Sequence, residues 1–230
     1  MNTPNPRARC FPAVLLVAVV FLLGACQTRP VPVAGPAAES FKPTRIAVLP
    51  FTNMSALYGE GQSVRCPLCG TMMVTGPVKD GAVRFLTEEL SRLVRKKMKA
   101  AVIPPERAKG VYTTLLNEEG LLFPEVGVVA KTGRRLGADA VVVGNIYRFR
   151  ERVGSDYGAE RPASVAFTLA MVRVEDSSVI WSAVFDETQH SLMENLFNIG
   201  TFFKRGGKWL TAEQLARYGL QEIVDGLPGS

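Results

Sequence analysis

Three apolar runs in the second half of the chain constrain the fold most: residues 138 to about 152, 164–174 and 179–188. Each is rich in β-branched and aromatic side chains and is bounded by turn formers, which reads as strand. Glu175-Asp176-Ser177-Ser178 between the last two is a plain turn. Val165, Phe167, Leu169 and Met171 alternate with smaller residues, and Val179, Trp181, Ala183 and Phe185 also occupy alternate positions. The set therefore reads as a meander with one face against helices. Such a sheet has to be covered, and the cover must come from elsewhere in the chain.

The cover lies upstream. Over residues 81–99, Val83, Leu86, Leu90, Leu93 or Val94, and Met98 recur in steps of three and four, the apolar face of an amphipathic helix. Asp80 is placed as its N-cap, and Glu88 lies one turn before Arg92, a spacing that permits an ion pair. The lysines and arginines at its end suit the helix dipole; they read as a solvated helix end before they read as a site for anionic lipid. Residues 105–116 and 124–136 read as further helices, the second closed by Gly137. Arg45-Ile46-Ala47-Val48-Leu49-Pro50-Phe51 is a short buried strand and residues 101–104 another. The order is β-α-β-α-α-β-β-β. It predicts an α/β (α+β) domain with a single mixed β-sheet packed with helices, followed by C-terminal helices. The last of these spans 211–224, capped by Thr211 and weakened in its middle by Gly219.

Composition limits the chemistry. Hydrophobic residues make up 47% and charged residues 21%, which is globular and excludes disorder or a disulfide-dense miniature. His190 is the only histidine, which removes most histidine-based catalysis and most metal sites. No phosphate loop, dinucleotide fingerprint, zinc-protease helix or nucleophile elbow is present. The expectation is a non-enzymatic protein with no catalytic residue, no cofactor and no small-molecule substrate.

Arg7 and Arg9 precede an apolar run over 11–23 that is too short for a hydrocarbon layer of about 30 Å and suits a signal-peptide core. It ends in Leu23-Gly24-Ala25-Cys26, which resembles the bacterial lipobox. The resemblance implies cleavage before Cys26 and lipidation of that cysteine. At about 0.8 kcal/mol per buried CH₂, two or three acyl chains anchor almost permanently. Residue 27 is Gln, not the Asp of an inner-membrane retention signal, so similarity to that sorting pattern points to the outer membrane. Losing residues 1–25 removes two arginines and no acids, lowering the formal charge from +6 to +4, too little to suggest nucleic acid. The expected organisation is a signal peptide at 1–25, a lipidated cysteine and proline-rich tether at 26–43, and one periplasmic domain at 44–230 with a helical segment at 191–226. Stretched, the tether reaches roughly 50–60 Å.

Three motifs taken together carry a family resemblance. They are Ile46-Ala47-Val48-Leu49-Pro50-Phe51 followed by Asn53, Leu136-Gly137-Ala138-Asp139 running into Val141-Val142-Val143-Gly144, and Val172-Arg173-Val174-Glu175-Asp176 before Val179-Ile180-Trp181-Ser182. The chain resembles, over about residues 44–190, the curli-secretion-channel lipoproteins, the lipoprotein activators of penicillin-binding proteins and the amino-terminal domain of the Tol-system propeller protein. The resemblance implies an envelope-facing interaction domain that often oligomerises.

Cys66-Pro67-Leu68-Cys69-Gly70 is the sharpest local motif. It looks like one knuckle of a zinc ribbon, but the chain has no second cysteine pair, since Cys10 is cleaved away and Cys26 acylated. A redox pair should open a helix, and eleven residues separate Cys69 from position 81. A local disulfide between Cys66 and Cys69 is the first expectation, then free thiols, then a metal shared between chains. Arg148, Arg150 and Arg152 fall at alternate positions, a basic row that could meet phosphate or carboxylate groups, or else protect an edge strand. On a lipid-facing strand each would cost roughly 2–4 kcal/mol, so a membrane barrel strand is disfavoured. Residues 191–209 carry Leu196, Phe197, Phe202 and Phe203, an apolar face for core packing, self-association or a membrane surface. The function expected is a lipid-anchored, self-associating secretion or surface-assembly accessory that meets other envelope proteins. An activator of a peptidoglycan synthase is the alternative, disfavoured by the short tether, and a thiol or zinc module a lesser one.

Overall fold

The computed structural model describes residues 33–34, 40–156, 158–189 and 208–229. In chain order the elements are β1 (Val33–Ala34), β2 (Arg45–Val48), β3 (Thr52–Asn53), α1 (Met54–Tyr58), β4 (Ser63–Arg65), β5 (Met72–Val74), α2 (Ala82–Lys97), β6 (Ala101–Ile103), α3 (Pro105–Glu119), α4 (Val126–Leu136), β7 (Ala140–Arg150), β8 (Val153–Gly154), β9 (Ala159–Arg161), β10 (Ser164–Arg173), β11 (Ser178–Thr188) and α5 (Ala212–Asp225). The main sheet runs β1-β11-β10-β7-β2-β6, with β3 also on β7. β2 is parallel to β6 and β7, while β7, β10 and β11 form an antiparallel meander. The sheet is mixed, as expected from the order of elements. Two small hairpins, β4–β5 and β8–β9, stand apart from the main sheet.

The meander differs from expectation in one respect that shapes everything else: both of its faces are buried. Val165, Phe167, Leu169 and Met171 of β10 join a core with Leu86, Leu90 and Val94 of α2 and Leu215, Leu220 and Ile223 of α5. Ala166, Ala170 and Val172 face the other way, into a second core with Tyr112 of α3, Val129 of α4, and Met73 and Cys66 of the β4–β5 hairpin. A strand covered on both sides loses its polar face, which is why β7 reads as a near-continuous apolar run. In β11 a bulge at the turn end breaks the alternation, so Ile180 and Trp181 both enter the first core.

The family motifs have physical roles. Phe51 turns back onto the sheet, edge-on to Phe167 at 6.1 Å, and its ring lies where a side chain on Gly144 would be, 2.5 Å from an added Cβ. Pro50 ends the ladder, and the Phe51 N–H donates instead to Thr87 Oγ1 in α2 at 3.0 Å. Asp139, just before β7, accepts from the Thr44 N–H at 2.7 Å, the Thr44 hydroxyl at 2.6 Å and the Arg45 N–H at 2.9 Å. It clamps the entry of β2 to the entry of β7. The Thr44 and Arg45 donors hold its carboxyl below the usual range.

Several local expectations are corrected. The N-cap of α2 is Gly81 at φ 82°, with no side-chain cap, so Asp80 does not serve. The left-handed turn that re-aims the chain here favours glycine. Arg92 pairs with Glu89, three residues before it, rather than Glu88. Val33–Ala34, inside the stretch read as tether, pairs antiparallel with Ser182 and Trp181 at the sheet edge. Thr211 does cap α5, in a reciprocal box with Gln214. Gly219 is needed for contact: an added Cβ would sit 2.6 Å from the ring of Phe185, itself stacked on Phe167 at 5.1 Å.

Two outcomes follow for stability. Gly219→Ala gains up to about 1 kcal/mol of helix propensity but overpacks a pinned ring at about 1–3 kcal/mol, so the melting temperature should fall. Asp139→Ala should cost about 1 kcal/mol, a value kept small because the carboxylate is exposed. The folded carboxyl is lowered, so its contribution is complete above about pH 4, the unfolded aspartate value, and is lost as pH falls through the folded value. Denaturant titrations of the unsubstituted protein and Asp139→Ala from pH 7 to pH 2 should therefore converge at the acid end.

Candidate functional site

The described residues bring two of the sequence candidates together under the β4–β5 hairpin. The cysteine motif forms its tip. Cys66 N–H donates to Thr71 O at 2.8 Å, Gly70 N–H donates to Cys66 O at 3.0 Å, and Gly70 takes φ 72°, the left-handed conformation that closes the knuckle. The Cys69 N–H donates to Cys66 Sγ at 3.1 Å. The hairpin folds against the second core, placing Cys66 Sγ 3.6 Å from Thr168 Oγ1 of β10. Cys66 is buried and Cys69 half-buried, and the two are free thiols.

The environment of the pair separates the two sulfurs. Contact with Cys69, helped by Thr168 and the backbone N–H groups of Cys69 and Leu68, pulls the Cys66 thiol down to about 5 against the opposing effect of burial. The same contact, together with burial, pushes Cys69 up. Tyr147 of β7 lies against the same sulfur, and burial followed by the Cys66 charge pushes its phenol up. Its hydroxyl has no partner at hydrogen-bonding geometry among the described residues.

The arginines sit beside this cluster because of a bulge in β7. Ala166 opposes Arg148 and Phe167 opposes Ile146, leaving Tyr147 as the extra residue. Tyr147 and Arg148 consequently share the face of the second core. Beyond the bulge the free edge of β7 is taken by the chain leaving the hairpin: Gly76 N–H donates to Tyr147 O at 2.9 Å and Phe149 N–H to Pro77 O at 2.8 Å. Arg148 donates through Nε to Ser164 Oγ at 2.6 Å and pairs with Asp186. Arg150 has a buried Nε without a partner among the described residues. Burial, then the charges of Arg148 and Arg161, holds its guanidinium below the usual arginine value. Both line an open cleft of about 380 Å³ with Glu60, Thr75, Gly76 and Ser164.

Arg152 does not continue the row. It lies past the end of β7, pairs with Asp156 and donates to Trp209 O at 2.6 Å, tying the approach to α5 onto the 151–156 turn. Nor is the arginine end of β7 an open edge, since β10 pairs with it on one side and residues 76–79 on the other. Cys26, Leu196, Phe197, Phe202 and Phe203 lie outside the described residues. Sequence reasoning missed Tyr147 and Thr168, which looked like ordinary strand residues; only the fold of the hairpin brings them to Cys66.

No family model matches the chain, and no curated protein matches it. Solved structures do. The dodecamer of a PelC variant from Paraburkholderia phytofirmans is 14% identical, with a TM-score of 0.50, covering 87% of this chain and 98% of that one. Lipoprotein GNA1162 from Neisseria meningitidis is 16% identical, with a TM-score of 0.39, over 70% of this chain and 94% of that one. The C-terminal domain of LpoB from Salmonella enterica is 13% identical, with a TM-score of 0.37, over 66% and 89%. The likeness to PelC is one of fold.

The buried phenol provides a test of this geometry. Tyr147→Phe removes a hydroxyl that has no hydrogen-bonded partner among the described residues, so the melting temperature should stay level or rise. A fall of several degrees in calorimetry would show that the hydroxyl is satisfied.

Proposed function

We propose that the chain is a non-enzymatic, lipid-anchored protein of the bacterial outer membrane. Its periplasm-facing domain assembles with copies of itself as a secretion or surface-assembly accessory. The observation that carries this reading is the fold shared with the PelC dodecamer over nearly the whole of that protein, behind a lipobox at Cys26. No helix among the described residues is long and apolar enough to cross a membrane; the anchor in this reading is an acylated Cys26.

The surface gives the assembly somewhere to form. Leu57, Tyr58, Met72, Val74 and Leu122 are exposed around the β4–β5 hairpin. Thr75 joins the hairpin to the end of α1 through Gly59 O at 2.7 Å, and Tyr58 lies 6.3 Å from Phe123. A patch of this kind, with an arginine cleft beside it, suits a subunit interface with a polar rim.

Detergent-solubilised mature protein should run as a closed oligomer in native mass measurements, and Met72→Asp with Val74→Asp should shift it toward monomer without changing its circular dichroism. A monomer at all concentrations would defeat the self-association reading. A co-purifying peptidoglycan synthase would favour the activator reading instead. Cys26→Ser should move the protein from the membrane fraction to the soluble fraction.

A further inference from the structure

The thiol pair at the hairpin tip is built in more detail than a surface loop requires. The knuckle is closed by two backbone hydrogen bonds and a left-handed glycine. Its N–H groups point inward at Cys66 Sγ, 3.1 Å away in the case of Cys69, where they stabilise negative charge on that sulfur. The same contact holds the two cysteines of the knuckle against each other. A third soft donor lies on the same face. Met73 pairs across the hairpin with Val64, two residues before Cys66, so its thioether and the Cys66 thiol share the buried side, where Met73 is 2% exposed.

The donor set decides which cation suits the site. Zinc in a structural site takes four ligands, and the described residues hold no group of three or more His, Cys, Asp or Glu side chains that could hold a metal ion. Sharing the ion with a second chain does not help, because Cys66 is also only 2% exposed. Two thiolates with a neighbouring thioether, and no imidazole or carboxylate, form a soft set of low coordination number, which favours Cu(I) over harder ions. We propose that Cys66 and Cys69, with Met73 beside them, form a binding site for Cu(I). The two sulfurs bind the ion as thiolates, and the protons they carry as thiols leave to solvent. Half-buried Cys69 provides the way in, while Thr168 and Tyr147 close the far side.

The test uses the mature full-length protein in detergent, reduced and kept free of oxygen, titrated with Cu(I) held by bicinchoninate. The protein should withdraw one Cu(I) per chain from the chelator, and Cys66→Ser or Cys69→Ser should lose that capacity. Zinc offered in the same way should not be retained after dialysis. Because the cysteine variants could misfold, copper X-ray absorption on the unsubstituted protein gives an independent readout, with sulfur neighbours expected. Neighbours that are only oxygen or nitrogen would overturn the assignment. So would copper left on the chelator while both thiols react after unfolding, or recovery of the pair as a disulfide from cells quenched with N-ethylmaleimide.

Discussion

Burial of the central strands on both faces is the constraint from which the rest of the structure follows. β7 and β10 are apolar toward α2 and α5 on one side and toward α3, α4 and the β4–β5 hairpin on the other. A sheet with two dry faces needs cover on both, and every polar backbone group in it must be paired within the ladder. The chain meets this by laying α2 on one face and α3 and α4 on the other, and by returning at its end to lay α5 over β10 and β11. Close approach at Gly144, Gly133 and Gly219 lets Phe51, Val174 and Phe185 fill the space a side chain would take. These glycines serve packing, with each contact tight enough that a methyl group would displace a neighbour.

The same strand sets the chemistry where it leaves the core. The bulge at Tyr147 turns two consecutive side chains toward one face, placing the phenol on Cys66 and the Arg148 guanidinium in the neighbouring cleft. The hairpin that covers them ends its run by pairing residues 76–79 onto β7. Thiols and arginines that lie about eighty residues apart in sequence thereby come under one small element. That element also carries the exposed apolar residues proposed for assembly, so occupancy of the thiol site and the shape of the interface would act through the same segment.

The strand and helix order was legible because it rests on periodicity, which burial dictates residue by residue. The Leu-Pro-Phe and Leu-Gly-Ala-Asp motifs marked real constraints, although their reasons, the Phe51–Gly144 contact and the Asp139 clamp, are tertiary. Misreadings fell where two local solutions were equally good. Asp80 could cap a helix, but the chain turns at Gly81; Glu88 and Glu89 are both within reach of Arg92, and half-buried Glu89 is the one aligned with it. Arg152 kept the alternation on paper, but β7 ends at Arg150. The row of arginines therefore stops at two.

By itself the sequence determined the class of fold, a mixed sheet with helices, because hydrophobic period and turn chemistry are local properties that any folded form must satisfy. Tertiary structure decided which face each side chain meets: that the meander is buried twice, that Val33–Ala34 adds to the edge, and that the cysteine knuckle sits on Thr168 and Tyr147. The physical reason is that a strand's alternation fixes two faces without naming what covers them. Contacts between residues far apart in the chain form only when the whole core closes.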